Sequence, residues 1–132
     1  MINPNGTLVA SRHYEAVKAF TEAFGQPVSA SLEDKDLVHL RDELITEEYY
    51  EVTNELMSYI IDPAALTKEL VDLLYVVYGC AVTFGLPIDE VFDRVHASNM
   101  SKLDDNGKPI YREDGKVLKG PNYEKPDLAN LF

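Results

Sequence analysis

The sequence predicts an all-α fold, a bundle of about four main helices that ends in a small C-terminal β-hairpin and an extended tail. Two observations carry this prediction. Apolar residues recur at spacings of three and four along four segments, which is the period of an α-helix. After about residue 104 this period is lost, and the turn dipeptides Asn106-Gly107 and Asp114-Gly115 take its place.

One domain is the expected organisation. A chain of 132 residues with 45% hydrophobic residues has the length and composition of one globular domain. We expect residues 1–132 to form it, with a helical core at about 11–103 and the hairpin and tail at about 104–132.

The first two predicted helices cover residues 11–24 and residues 36–60. Ser11 is a suitable N-cap for the first helix, and Gly25 is a suitable stop. The second helix has an apolar face that turns acidic partway along, which is unusual because acids normally stay on the solvent side. The acids on that face are Glu48, Glu51 and Glu55.

The third predicted helix covers residues 63–84 and starts at Asp62-Pro63, because proline suits the first helical position. It is apolar on nearly every side, so we expect it to be buried in the protein or in a subunit interface. A Gly-Leu-Pro break ends it, and a fourth helix follows at about 88–102.

The C-terminal segment reads as a hairpin followed by a tail. Residues 109–112 and 116–119 flank the Asp-Gly dipeptide, which favours a tight turn between two short strands. The residues after the hairpin are expected to extend over the surface or over a neighbouring subunit.

Charge and cysteine content exclude several classes of protein. The formal net charge of −11 argues against a nucleic-acid-binding surface, which needs basic residues to neutralise phosphates. The single cysteine, Cys80, rules out an internal disulfide, and a small buried filler is its expected role.

The sequence also argues against export and membrane insertion. The N-terminus lacks a basic head followed by an apolar run, so no ordinary signal peptide is expected. The longest apolar stretch, residues 70–84, is interrupted by Asp72 and is too short to span a bilayer comfortably. We therefore expect a cytoplasmic protein without a membrane partner, in the host cytoplasm if the chain is encoded by a phage.

Four carboxylates in two short pairs are the main functional signal. Residues three apart on a helix share a face, so Glu48 and Glu51 point the same way, as do Glu69 and Asp72. The second pair lies in an apolar stretch, where charged groups need a compensating cation. The seventeen residues between Glu51 and Glu69 are enough to end one helix and return an antiparallel partner.

Four converging carboxylates would form an oxygen-rich site for a hard divalent cation. Because neither pair contains a histidine, Mg²⁺ is expected rather than zinc or a di-iron centre. Glu47 is one turn from Glu51 and is a candidate to hold a water molecule and take its proton.

Positive groups for a phosphate-bearing substrate are expected near the end of the fourth helix. Asn99 and Lys102 lie one turn apart there, where lysine can neutralise a phosphate and asparagine can hydrogen-bond a phosphate or a sugar. Arg94 is a further candidate on the same helix.

Three segments, EEYYE, KELVDLLYVVYG and VHASNMSK, together resemble the MazG-like family of all-α nucleoside triphosphate pyrophosphohydrolases. The family pattern is EExxE, then ExxD, then an Asn-x-x-Lys element. AFGQPV and DGKVLKGPNY are similar to segments of bacterial and phage members, and the motifs together cover most of residues 14–128.

The resemblance implies hydrolysis of a (d)NTP between its α and β phosphates to a (d)NMP and pyrophosphate. It also implies the role of each matched residue. Glu48, Glu51, Glu69 and Asp72 would hold Mg²⁺ or Mn²⁺, Glu47 would position or activate the attacking water, and Asn99 and Lys102 would contact sugar and phosphates. Family members are homo-oligomers, so a dimer or tetramer is expected.

The preferred base is left open by these motifs. Phe24, Gln26 and Pro27 are candidates to line a base pocket, and a preference for dGTP or other purine deoxynucleotides is the first hypothesis. A housecleaning pyrophosphatase that prefers dUTP or dCTP is the alternative. A second alternative is a non-catalytic helical regulator that binds metal or nucleotide, which turnover of any nucleotide would exclude.

Overall fold

The computed structural model describes residues 4–6 and 9–132 and confirms the all-α fold class with a small C-terminal hairpin. The described residues fall into two compact units, residues 10–86 and residues 87–132, the second together with the N-terminal residues. That the whole chain is one domain stays a prediction. The elements are α1 (Arg12–Ala23), α2 (Lys35–Leu56), α3 (Pro63–Phe84), α4 (Ile88–Met100), β1 (Ile110–Tyr111) and β2 (Val117–Leu118).

Within residues 10–86, α3 packs against both α1 and α2. The partners along the seam between α2 and α3 show that these two helices are antiparallel. Arg41, early in α2, donates to the carbonyl of Val76 late in α3, whereas Glu48, further along α2, lies beside Asp72, earlier in α3. The buried apolar residues of this unit are Val17, Val52, Ala81, Val82 and Phe84.

Each of the first three helices begins at a side-chain cap, which satisfies a backbone N–H that has no partner within the helix. The hydroxyl of Ser11 accepts from the N–H of Tyr14 at 3.0 Å. The carboxylate of Asp62 accepts from the N–H of Ala64 at 3.0 Å. Asp34 serves α2 in the same way.

The predicted end of the second helix was wrong by four residues, because α2 ends at Leu56 and not at residue 60. The physical reason is the proline that begins α3. The residue before a proline is driven out of the helical region, and Asp62 is extended (φ −84°, ψ 116°). The chain therefore needs the residues after Met57, the C-cap, to reverse direction. The fourth helix likewise ends at Met100, two residues before the predicted end.

The end of α3 is fixed by a left-handed glycine and by the loop that follows α1. Gly85 has φ 64°, and a Cβ on it would lie 2.9 Å from the Oγ of Ser29. The N–H groups of Ser29 and Ala30 donate to the carbonyls of Val82 and Thr83 at 3.1 and 2.7 Å. The loop therefore adds hydrogen-bond partners for carbonyls in the last turn of α3, where the helix offers few of its own.

Burial along α3 is uneven, so the expectation of burial within the protein holds for only one half of the helix. The residues from Gly79 to Phe84 are buried, apart from half-buried Cys80. Towards the start, Leu70, Val71 and Leu74 are 47%, 53% and 46% exposed. The first half of α3 thus presents an apolar stripe on the single chain.

The second unit joins α4 to the hairpin and the tail. In the hairpin, β1 pairs antiparallel with β2, with Ile110 opposite Leu118, around the Asp114-Gly115 turn that the sequence predicts. The tail is held on α4 by hydrogen bonds. The hydroxyl of Ser98 donates to the carbonyl of Glu124 at 2.7 Å.

Among the described residues, no single helix is both long enough and apolar enough to cross a membrane, although α3 and α4 meet the two criteria when they are taken together. The prediction that the chain starts without a signal peptide concerns in part residues 1–3 and 7–8, which lie outside the described residues.

Replacing Gly85 by alanine should destabilise the protein more than the same change at Gly25. Both glycines have a left-handed φ, which costs a non-glycine residue about 1–2 kcal/mol. Only Gly85 also faces a close neighbour, Ser29, since nothing lies within 4 Å of a Cβ at Gly25. Urea unfolding of G85A and G25A measures the difference, and equal losses of unfolding free energy would contradict the crowding at Ser29.

Candidate metal centre

Three carboxylates meet across the seam between α2 and α3. Glu48 comes from α2, and Glu69 and Asp72 come from α3. Each offers an oxygen that lies within 4.8 Å of the oxygens of the other two. The spacing of three residues places Glu69 and Asp72 on one face of α3, and the antiparallel packing brings Glu48 to the same level. These three residues are called the acid cluster below.

The acid cluster has a donor set suited to a hard divalent cation. Carboxylate oxygens are the ligands that Mg²⁺ and Mn²⁺ prefer. Two oxygens on opposite sides of one Mg²⁺ are about 4.2 Å apart, because each lies about 2.1 Å from the ion. The three oxygens lie within 4.8 Å of one another, so side-chain rotations can bring them to a common ion.

The acid cluster concentrates negative charge, and Glu48 shows the consequence. The pKa of Glu48 is raised, first by its desolvation and then by the charges of Asp72, Glu47 and Glu69. The charge of Lys68 acts in the opposite direction. A raised carboxyl pKa means that the ionised form of Glu48 is disfavoured in the folded chain, as expected where several acids lie close together.

Lys68 is a cation that the sequence reasoning missed. Its Nζ lies 2.6 Å from Oδ2 of Asp72 and 3.5 Å from Oε1 of Glu69. The hydrogen bond to Asp72 is the largest cause of the raised pKa of Lys68, so the ammonium stays charged. The i,i+4 spacing to Asp72 was the available signal. It was overlooked because a lysine at such a spacing is usually an ordinary surface pair.

The two acids of α3 are less enclosed than their apolar neighbours predict. The side chains of Glu69 and Asp72 are 15% and 35% exposed, so both acids are only partly buried although they lie in an apolar stretch of the sequence. The reason is that the neighbouring apolar side chains of this half of α3 are themselves exposed. Lys68 and Asp72 border an open depression of about 630 Å³ that also touches Pro63 and Thr67.

Glu47 and Glu51 lie beside the acid cluster without being part of it. Both are exposed on α2, one residue before and three residues after Glu48. Among the described residues, the group close enough to share an ion contains neither of them. Glu47 is near enough for its charge to raise the pKa of Glu48. Their roles as water-activating residue and fourth metal ligand stay predictions.

The phosphate-binding candidates lie in the second unit. Asn99 is exposed, and Lys102 is half-buried just beyond the end of α4. Arg94 is engaged within its own unit. Its Nε donates to Glu90 at 2.9 Å and its Nη1 donates to the carbonyl of Asp127 at 2.7 Å. The contact with Asp127 ties the tail to α4, whereas Glu90 belongs to α4 itself. Substrate binding by Arg94 stays a prediction.

The base-pocket candidates lie at the end of α1. Phe24 is the C-cap of α1, 68% exposed, with its ring centroid 4.4 Å from that of Phe20. Gln26 is exposed and borders a cavity of about 240 Å³ between the helices of the first unit. The buried side chain of Arg41 lines the same cavity, and the sequence reasoning did not identify it.

Comparison with known proteins gives a family match. A family model described as phosphoribosyl-ATP pyrophosphohydrolase matches residues 17–99, a range that contains the acid cluster, Glu47, Glu51 and Asn99. An uncharacterized protein of Acanthamoeba polyphaga mimivirus is 28% identical over 117 residues. That match covers 81% of this chain but only 42% of the viral protein, so the chain spans less than half the length of that relative.

The solved structures that match include a candidate NTP pyrophosphohydrolase from Exiguobacterium sp. 255-15, with a TM-score of 0.47 and 23% sequence identity. The match covers 89% of this chain and 90% of the other.

Glu48→Gln should stabilise the metal-free protein at neutral pH, because it removes one charge from a crowded acid cluster. The gain should be up to about 1 kcal/mol, the scale of interactions between partly exposed charges. Because the pKa of Glu48 is raised, its repulsion exists only while it is ionised. The difference from wild type should therefore vanish as the pH falls through that pKa.

Thermal unfolding in EDTA at several pH values measures this difference. Glu51→Gln is the matched control, since Glu51 is exposed on the same helix and lies outside the acid cluster. A lower melting temperature for E48Q than for E51Q at neutral pH would contradict the repulsion.

Proposed function

Because the chain belongs to the phosphoribosyl-ATP pyrophosphohydrolase family, within the MazG-like nucleotide pyrophosphohydrolases, we propose that it is a metal-dependent hydrolase of nucleoside triphosphates. It cleaves a (d)NTP between the α and β phosphates and releases a (d)NMP and pyrophosphate. The observation that carries the proposal is the acid cluster, three carboxylates from two helices within ion-sharing distance.

In this proposal Glu48, Glu69 and Asp72 hold Mg²⁺, for which Mn²⁺ can substitute, and Glu51 completes the set from the next turn of α2. When bound, the ion neutralises the phosphates and the charge that develops on the departing pyrophosphate. Lys68 then no longer has to compensate Asp72. Its side chain is 67% exposed, which leaves its ammonium free to meet a phosphate beside the acid cluster.

Glu47 acts on the attacking water. It orients the water and takes one of its protons as the water oxygen forms a bond to the α-phosphorus. The bond from that phosphorus to the oxygen bridging to the β-phosphate breaks, and the electron pair leaves on pyrophosphate. Because Glu47 is exposed next to Glu48, it can reach a water molecule beside the acid cluster without itself coordinating the ion.

The remaining predicted contacts belong to the same proposal. Asn99 and Lys102 bind the sugar and the phosphates. Arg94 contributes to phosphate binding through the N–H groups that do not donate to Glu90 or to the carbonyl of Asp127. The chain works as a homo-oligomer, a dimer or a tetramer. The apolar stripe of Leu70, Val71 and Leu74 supports this, because monomeric proteins rarely leave large contiguous apolar patches exposed.

The proposed substrates are purine deoxynucleoside triphosphates, with dGTP first. Gln26 at the border of the cavity of about 240 Å³ supports a base pocket in the first unit. The test is a panel of the common NTPs and dNTPs, with phosphoribosyl-ATP added because of the family description. Each is incubated with Mg²⁺, and the products are separated by anion exchange. Release of inorganic phosphate and a nucleoside diphosphate would exclude cleavage between the α and β phosphates.

Glu69→Ala and Asp72→Ala should each lower kcat/KM by about 100-fold or more, the scale of losing a group that stabilises transition-state charge. Both variants should stay folded, since both side chains are partly exposed. Asp42→Ala is the matched control, an exposed acid on α2 with no proposed part in the site. Full activity in E69A or D72A, measured with the same Mg²⁺, would contradict the metal assignment.

A further inference from the structure

A buried arginine lines the cavity between the three helices of the first unit. Arg41 is 8% exposed and lines the cavity of about 240 Å³. Gln26 and the aromatic residues Phe20 and Tyr75 line it as well. An arginine is almost never buried unless its charge and its five N–H groups find partners.

The partners of Arg41 are incomplete. Its Nη2 donates to the carbonyl of Val76 at 3.0 Å, whereas its Nε is buried and has no hydrogen-bond partner within residues 4–6 and 9–132. No described carboxylate forms an ion pair with it. Burial lowers the pKa of Arg41, with a smaller opposing effect from Cys80. A buried donor without a partner is costly, so such a group usually has a role.

Gly79 makes the space that the guanidinium fills. A Cβ at this position would lie 2.3 Å from Nη2 and 3.3 Å from Cζ of Arg41. Gly79 is inside α3, where glycine is less favourable than alanine by about 1 kcal/mol. Close approach of the guanidinium gives this unfavourable residue a physical reason.

The cavity lies along the same seam as the acid cluster. Arg41 precedes Glu48 by seven residues of α2, a rise of about 10.5 Å. On α3, Tyr75 is one turn beyond Asp72. A nucleotide carries its base and its phosphates on opposite sides of the sugar. With its phosphates at the acid cluster, its base would extend along the seam towards the cavity.

Size and lining also suit a purine. A cavity of about 150 Å³ is enough for benzene, so about 240 Å³ has room for a fused two-ring base. The rings of Phe20 and Tyr75 lie edge to face, 5.6 Å between centroids, and both are partly exposed. Aromatic rings stack on any base, so they do not distinguish one base from another. A polar group must therefore select the base.

We propose that Arg41 selects the base of the substrate by donating to the two adjacent acceptors of guanine, O6 and N7. This deepens the proposed function and rests on it. Arginine paired to O6 and N7 is the favoured contact with guanine, whereas adenine turns its N6 amino donor towards the same position. Adenine therefore offers the guanidinium one acceptor and one opposing donor, and it is bound less well.

The test compares dGTP, dATP and 7-deaza-dGTP, which lacks the N7 acceptor, by kcat/KM. Wild type should prefer dGTP over dATP by at least about tenfold, which corresponds to about 1.4 kcal/mol. It should also lose about tenfold on 7-deaza-dGTP. Arg41→Gln should reduce the dGTP to dATP ratio at least about tenfold, because glutamine pairs with adenine instead.

Two further variants separate recognition from folding. Gly79→Ala should displace the guanidinium and lower the same ratio while the Arg41 side chain is kept. Arg12→Gln removes an exposed arginine of α1 and should leave the ratio unchanged. If R41Q does not fold, two measurements still test the role of Arg41, because both use proteins that keep the arginine. They are the kcat/KM of wild type for 7-deaza-dGTP and the ratio of kcat/KM for dGTP and dATP in G79A.

A binding measurement makes failure of this inference distinguishable from failure of the proposed function. Calorimetric titration of the metal-free protein with dGMP and dAMP should show about tenfold tighter binding of dGMP, lost in R41Q. That preference without turnover of any triphosphate would overturn the proposed function and leave the base assignment standing. Turnover with equal kcat/KM for dGTP, dATP and 7-deaza-dGTP would overturn the role of Arg41 and leave the hydrolase standing.

Discussion

The antiparallel packing of α2 against α3 is the constraint on which the candidate site depends. It brings Glu48 to the level of Glu69 and Asp72, so that three carboxylates lie within 4.8 Å of one another. Desolvation first, and then the charges of the neighbouring acids, raise the pKa of Glu48, and the charge of Lys68 offsets part of this rise. The packing persists because it is stabilised elsewhere, by the buried residues near the end of α3 and by the loop that satisfies the carbonyls of Val82 and Thr83. Core packing thus holds together groups that would separate on their own.

The same seam has opposite electrostatic character at its two levels. At one level the acid cluster gathers negative charge at the edge of an open depression, where a hydrated cation and phosphates have access. About two helical turns away, Arg41 is a buried cation beside a partly open cavity, and its Nε has no hydrogen-bond partner among the described residues. A molecule that extends from a cation-binding polyphosphate to a base with acceptor groups matches both levels at once. A free phosphate or a metal ion alone would match only the first.

Periodicity and spacing predicted most of the fold and part of the site. The four helices, their caps and the hairpin follow from local signals such as Ser11, Asp62-Pro63 and Asp114-Gly115. The meeting of Glu48 with Glu69 and Asp72 followed from the spacing within each pair and the length between them. Lys68 was missed because an i,i+4 pair looks the same in sequence whether or not it faces a site. Arg41 was missed because burial of a long polar side chain depends on tertiary packing, and Gly79 carried the only local sign of it.

The most direct test of the acid cluster as a cation site is the binding of Mn²⁺ to the protein without nucleotide. Binding is measured as the loss of the free Mn²⁺ signal in electron paramagnetic resonance. Wild type should bind Mn²⁺, and Mg²⁺ should compete for the same site. Asp72→Asn, which keeps the shape of the side chain but removes its charge, should bind Mn²⁺ at least about tenfold more weakly. Equal binding of Mn²⁺ by wild type and D72N would contradict the assignment of the acid cluster as the metal centre.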